Sequence, residues 1–146
     1  MIRKANDTEA RTIAGLAVKM WDSASENELA AEFEELLNEP EAAVFVACAD
    51  DAIIGFAQCQ LRRDYVEGTE TSPVGYLEGV YVEENYRKLG YGRLLISACE
   101  VWAKSLGCSE FASDCELDNE ASLAFHLCCG FTEANRIICF SKKIIR

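Results

Sequence analysis

The stretch Val82-Glu83-Glu84-Asn85-Tyr86-Arg87-Lys88-Leu89-Gly90-Tyr91-Gly92-Arg93 decides how this chain reads. Ahead of it, Gly75-Tyr76-Leu77-Glu78-Gly79-Val80-Tyr81-Val82 is strongly β-prone and predicts a central strand. Behind it, residues 91–106 predict a helix that Gly107 ends. The join between strand and helix carries Gly90 and Gly92, two apart, which let backbone N–H groups come close to a ligand. The helix start adds the positive end of its dipole, and Arg87, Lys88 and Arg93 add formal charge. Backbone donors, dipole and cations together make a cradle for a diphosphate. The stretch is not a P-loop, because it lacks Gly-Lys-Ser/Thr. It is not a dinucleotide fingerprint either, because it lacks the third glycine.

Outward from this join, the elements form a simple series. Ile2 predicts a short first strand. A helix capped by Asn6 or Asp7 follows, with Ile13, Leu16, Ala17 and Met20 at helical spacing through Trp21. Ser25 and Glu28 have capping-box spacing and open a second helix over 25–37, with Pro40 beyond its end. Residues 42–49 and 53–61 predict a hairpin turning at Asp50-Asp51. Residues 62–74 read as a polar loop. After the 91–106 helix come a short strand at 110–114, a helix over 119–128 ended by Gly130, and a final hairpin or strand pair over 131–142. The resulting order is β-α-α-β-β-β-α-β-α-β-β. It predicts an α+β fold with a mixed, mostly antiparallel sheet flanked by helices, in a single domain over 1–146.

Composition narrows the partners. The chain has 146 residues and a net charge of −11. A 146-residue chain fits one domain. Net acidity argues against nucleic acid and anionic membranes as partners. No apolar run is long enough to span a bilayer, and the first residues lack the apolar stretch of a signal peptide. No Lys or Arg lies between Lys19 and Arg62, while that interval holds 10 Asp and Glu residues, a negative wall suited to a polycation. The 8 cysteines include no C-x-x-C pair, so a zinc site is not expected. They read as reduced, small hydrophobes, which fits a cytoplasmic protein.

Arg87-x-x-Gly90-x-Gly92 after Leu77-x-x-Val80-x-Val82 resembles the acetyl-CoA loop of the GCN5-related N-acetyltransferases. A second match, Asn119, Ala121 and Ala124 followed by Phe125-His126-Leu127-Cys128-Cys129-Gly130-Phe131, is similar to that family's Asn…Ala…Tyr…Gly-Phe block. The resemblance covers nearly the whole chain. It implies acetyl-CoA as co-substrate, with no metal. Val80, Tyr81 and Val82 would hydrogen-bond the pantetheine arm through their backbone. Arg87, Lys88, Leu89, Gly90, Tyr91, Gly92 and Arg93 would hold the diphosphate, and Asn119 would reach the pantetheine. His126 stands where the family usually has a Tyr that protonates the departing thiolate. A histidine can donate that proton when charged, but its pKa of about 6.5 leaves much of it neutral at pH 7.

Three further strings point to an acceptor: Gly75–Val82, Trp102–Cys108, and Phe111-Ala112-Ser113-Asp114 through Asn119. They resemble the aminoglycoside 6'-N-acetyltransferases, in their small single-domain Gram-negative branch. An aminoglycoside is a polycation whose ammonium must lose a proton before it can attack a thioester. The resemblance implies that Asp114 orients or deprotonates the acceptor amine. Glu78 would bind the ligand and relay the proton through water. Trp21 and Tyr65 would contact sugar rings, Glu70 and Glu116 would stand on an acidic rim, and Asn135 would stand where relatives carry an acid. Homodimerisation through the C-terminal strands is also implied. Two alternatives stay open on the sequence: the same transfer to a polyamine or protein amine, and a non-catalytic acyl-CoA-binding module.

Overall fold

The computed structural model describes residues 1–145. Two compact units divide it, residues 1–114 and residues 115–146.

The first unit is built on a five-stranded sheet of β1 (Ile2–Lys4), β2 (Ala42–Ala49), β3 (Ala52–Arg62), β4 (Val74–Val82) and β5 (Phe111–Ala112), in that spatial order. β1 through β4 pair antiparallel, and β4 pairs parallel with β5. The β2–β3 turn is tight because Asp50 and Asp51 both take positive φ, a conformation that Asp tolerates better than most residues. Helices cover both faces. Val44 and Val46 of β2 and Phe56 of β3 pack with Ile13 and Leu16 of α1 (Ala10–Ala17) and with Leu29 and Phe33 of α2 (Glu26–Leu37). Phe45, on the opposite face of β2 by strand alternation, lines a groove with Ser97, Ala98, Val101 and Trp102 of α3 (Tyr91–Ser105). Phe33 and Phe56 are wholly buried and meet edge to face at 5.6 Å between ring centroids. Each contributes roughly 1.5–3 kcal/mol by burial.

Local chemistry explains most element ends. Ser25 accepts from the Glu28 amide at 3.1 Å while the Glu28 carboxylate accepts from the Ser25 amide, so both halves of the capping box form. The first helix is shorter than the sequence predicts. Its N-cap is Glu9, because the Asn6 side chain is engaged by Thr8. After Ala17 the chain tightens into i→i+3 bonds (Lys19 to Leu16, Met20 to Ala17) before it reaches Trp21.

In the second unit, α4 (Glu120–Cys128) starts at Asn119, whose side-chain oxygen accepts from the Ser122 amide at 3.1 Å. It ends before Gly130 at φ +93°. The strand pair expected over 131–142 is a correction: no strand or helix forms over 131–145. Ile137, Ile138 and Phe140 are exposed there. Apolar, β-prone residues give a segment the capacity to pair, but propensity alone does not form a strand.

Candidate active site

β4 is the axis of the site. Its register against β3 slips by one residue, since Gln58 faces Gly79 while Cys59 faces Leu77. Glu78 is therefore the extra residue of a β-bulge, a device that re-aims side chains at functional edges. On the other side, β5 pairs with β4 only at Gly75 and Tyr76. Beyond that, residues 79–82 keep their bonds to β3, and among the described residues no strand pairs with them on the β5 side. Sequence reading expected β5 to run over 110–114; its two-residue length leaves this gap.

Glu78 and Asp114 are joined through two residues that sequence reading missed. Arg62, the last residue of β3, donates from Nε to one Glu78 oxygen at 3.1 Å and from Nη2 to the other at 2.8 Å. Its guanidinium carbon lies 3.5 Å from the centre of the Tyr76 ring. Tyr76 in turn donates its phenolic proton to Asp114 Oδ2. Burial and then the Asp114 hydrogen bond push the Tyr76 phenol well above its ordinary pKa, so it stays a donor. Burial opposes the Arg62 charge, but Glu78 outweighs it and raises the Arg62 pKa. Pairing of β3, β4 and β5 and the chain just beyond β5 bring these four side chains together, so no sequence spacing announced them.

Trp21 lies in the connection between α1 and α2 and abuts Gly79, the residue after the bulge. A Cβ there would sit 2.5 Å from the indole Cζ2. Trp21 also meets Phe56 edge on at 6.2 Å. Tyr65 is 78% exposed in the β3–β4 loop, so its ring is open to a ligand. In the same loop the Glu70 backbone is held by Glu110 Oε1 at 2.9 Å, while Glu70 itself is exposed.

The glycine-bearing loop follows β4 through a short 3-10 turn, Glu84–Tyr86. Arg87 folds back, donating from Nε to the Val82 carbonyl at 2.7 Å, with its guanidinium 5.4 Å from the Tyr81 ring. Lys88 takes φ +63° and Gly90 φ +94°. Gly90 is the N-cap of α3 and has no side chain to cap it, so no N-cap side chain covers the amides of the first turn. Leu89 is exposed, and the Tyr91 ring meets Tyr86 edge on at 6.2 Å. Tyr86 bonds Asp50 at 2.6 Å, tying this loop to the β2–β3 turn. Glu83 is held by Lys19 at 2.9 Å and by the Tyr81 hydroxyl at 3.0 Å. The Lys19 hydrogen bond lowers the Glu83 pKa.

Asn119, His126, Glu116 and Asn135 belong to the second unit. Asn119 is the α4 N-cap. Glu116 is exposed, and its carbonyl accepts from the Asn119 amide at 3.1 Å. Asn135 accepts from the Arg136 amide through Oδ1 at 2.8 Å. His126 Nδ1 lies 2.7 Å from the Ser122 carbonyl oxygen. A carbonyl only accepts, so Nδ1 is the donor in this hydrogen bond. The His126 ring packs edge on against Phe131 at 5.1 Å.

The first unit thus carries a β4 edge with a bulge at Glu78, two carboxylates linked through Arg62 and Tyr76, and a glycine-capped helix N-terminus, and the chain as a whole is similar to known proteins. The acetyltransferase (GNAT) family model matches residues 11–131. An aminoglycoside N(6')-acetyltransferase type 1 of Acinetobacter haemolyticus is 41% identical, over 98% of this chain and 98% of its own. That of Stenotrophomonas maltophilia is 41% identical, over 95% of this chain and 90% of its own. Among solved structures, the aminoglycoside N-acetyltransferase AAC(6')-Iy in complex with CoA superposes with a TM-score of 0.95 at 37% identity, covering 99% of this chain and 95% of that one. The same enzyme with a bisubstrate analogue, CoA-S-monomethyl-acetylneamine, gives 0.94 at 37% identity, over 99% and 98%. The chain belongs to the acetyltransferase (GNAT) family, in its branch of aminoglycoside N(6')-acetyltransferases.

Proposed function

We propose that this protein transfers the acetyl group of acetyl-CoA to the 6'-amine of an aminoglycoside, by direct attack within a ternary complex, and so confers resistance to the antibiotic. The observation that carries this reading is the Glu78–Arg62–Tyr76–Asp114 chain beside the open β4 edge. It would offer two carboxylates to a polycationic acceptor. The relatives act on aminoglycosides by name, and one solved relative holds CoA joined to an aminoglycoside analogue.

Acetyl-CoA would lie with its diphosphate on the open N-terminus of α3, beside Arg87 and Lys88, with its pantetheine along Val80–Val82. An amide near Val82 would donate to the thioester oxygen as negative charge develops there. Asp114 would take a proton from the acceptor ammonium, directly or through water relayed by Glu78. The freed amine attacks the thioester carbon, the proton left on its nitrogen passes to water, the C–S bond breaks, and the CoA thiolate leaves. His126 would supply the thiolate's proton. Trp21 and Tyr65 would lie against sugar rings, with Glu70, Glu116 and Asn135 at the rim. The net charge of −11 would steer the polycation in, so capture would weaken with added salt.

The same reading takes the chain as a single acetyltransferase domain, supported by a family match that runs from residue 11 to 131 across both units. It works as a homodimer that covers the exposed Ile137, Ile138, Phe140, Ile144 and Ile145, in the cytoplasm where acetyl-CoA is made. Sedimentation would give twice the chain mass.

Release of free CoA thiol, followed with kanamycin, tobramycin and spermidine at saturating acetyl-CoA, tests the activity. Thiol release with an aminoglycoside and little with spermidine is expected. No release with any aminoglycoside overturns the reading.

A further inference from the structure

Arg62 is an unexpected residue to find at a site for a polycation. A guanidinium beside the acceptor carboxylates lowers the attraction that draws the substrate in. Its geometry suggests what is gained. Both Nε and Nη2 are on Glu78, one on each carboxylate oxygen, so the plane of the carboxylate is fixed. The same guanidinium lies over the Tyr76 ring, its carbon 3.5 Å from the ring centre. The Tyr76 hydroxyl then donates to Asp114. Arg62 on β3 thus sets the orientation of a carboxylate on β4 directly, and of one beyond β5 through a phenol.

We propose that Arg62 is the positioning residue of the acceptor site, a built-in cation that holds Glu78 and, through Tyr76, Asp114 in place before an ammonium arrives. This rests on the aminoglycoside reading above. The arrangement separates two properties. The Arg62 charge opposes acceptor binding, because it offsets one of the two negative charges that attract the ammonium. The Arg62 geometry favours turnover, because a bidentate fork and a flat stacking surface restrict both carboxylates to one orientation. A lysine would keep the charge but lose the fork and the stacking plane.

Steady-state kinetics with tobramycin and acetyl-CoA test this in the wild type and in Arg62→Ala, Arg62→Lys and Tyr76→Phe. For Arg62→Ala, kcat is expected to fall at least tenfold while the tobramycin KM stays level or falls. The acetyl-CoA KM should remain within twofold. Arg62→Lys should keep a wild-type tobramycin KM but recover little of kcat, and millimolar guanidinium should restore part of the kcat of Arg62→Ala where methylammonium does not. Tyr76→Phe should lower kcat with Arg62 and Glu78 still paired. A kcat within twofold of wild type in both Arg62 variants overturns the proposal. So does a full rescue by lysine, and so does a matched rise in both KM values. Should Arg62→Ala not fold, as judged by its melting curve, Arg62→Lys and Tyr76→Phe decide alone. Absence of wild-type turnover would instead sink the aminoglycoside reading itself, so the two failures are distinct.

Discussion

Trp21 fills the space that a side chain on Gly79 would need. The indole Cζ2 and Cη2 stand 2.5 and 2.6 Å from where a Cβ would be, and the terminal methyl of Met20 closes the same pocket at 3.1 Å. A glycine next to the β4 bulge therefore lets an aromatic platform settle against the strand that carries Glu78. Gly79→Ala should push Trp21 off this seat. Overpacking of this kind costs about 1–3 kcal/mol, read as a lower melting temperature. The tobramycin KM should rise more than the acetyl-CoA KM.

Asp114→Asn preserves shape but removes the proton acceptor. The amide oxygen can still accept from Tyr76, so thermal stability should stay close to wild type. Turnover should fall by at least ~10²-fold, the low end for lost acid–base assistance. Near-wild-type turnover in a CoA-release assay would remove Asp114 from its proposed role.

Gly90→Ala probes the other half of the site. A Cβ at this position meets nothing within 4 Å, so the penalty is conformational and arises from φ +94°. Left-handed backbone costs a residue with a Cβ roughly 1–2 kcal/mol. Reshaping the open end of α3 should raise the acetyl-CoA KM and leave the tobramycin KM within twofold.

Acid stability should respond to Glu9. Arg3 donates to both of its oxygens, one at 2.8 Å, and this pairing holds the Glu9 carboxyl below its ordinary value of 4.5. The folded form thus binds a proton less readily than the unfolded chain. The stabilisation is present above about pH 4.5 and is lost as pH falls through the lower folded value. Melting temperatures measured between pH 6 and 3 should drop less steeply for Glu9→Gln than for wild type. The two curves should converge at the acid end.

Much of the frame was legible because short-range chemistry dictates it. Ser25 and Glu28 formed the capping box that their spacing predicted, and Asp50-Asp51 made the turn. Gly90 took the positive φ that a glycine allows. The Arg-x-x-Gly-x-Gly string marked the helix end it was read to mark. The misses share a different cause. Arg62 and Tyr76 meet Glu78 and Asp114 through pairing between strands, and the bulge that aims Glu78 is a slip in register between β3 and β4. Neither leaves a local trace. Residues 131–142 look β-prone yet form no strand, since propensity supplies one partner of a ladder and not the other.

The gap between β4 and β5 also makes the sheet a reporter. An amide in residues 79–82 that faces this gap should exchange its proton with water without the sheet unfolding. If the pantetheine arm lies there as proposed, the co-substrate becomes the missing strand. Saturation with CoA should then slow deuterium uptake across these residues far more than across the β2–β3 hairpin. The extent of that protection would measure how much of the fold is completed only when the reaction is about to begin.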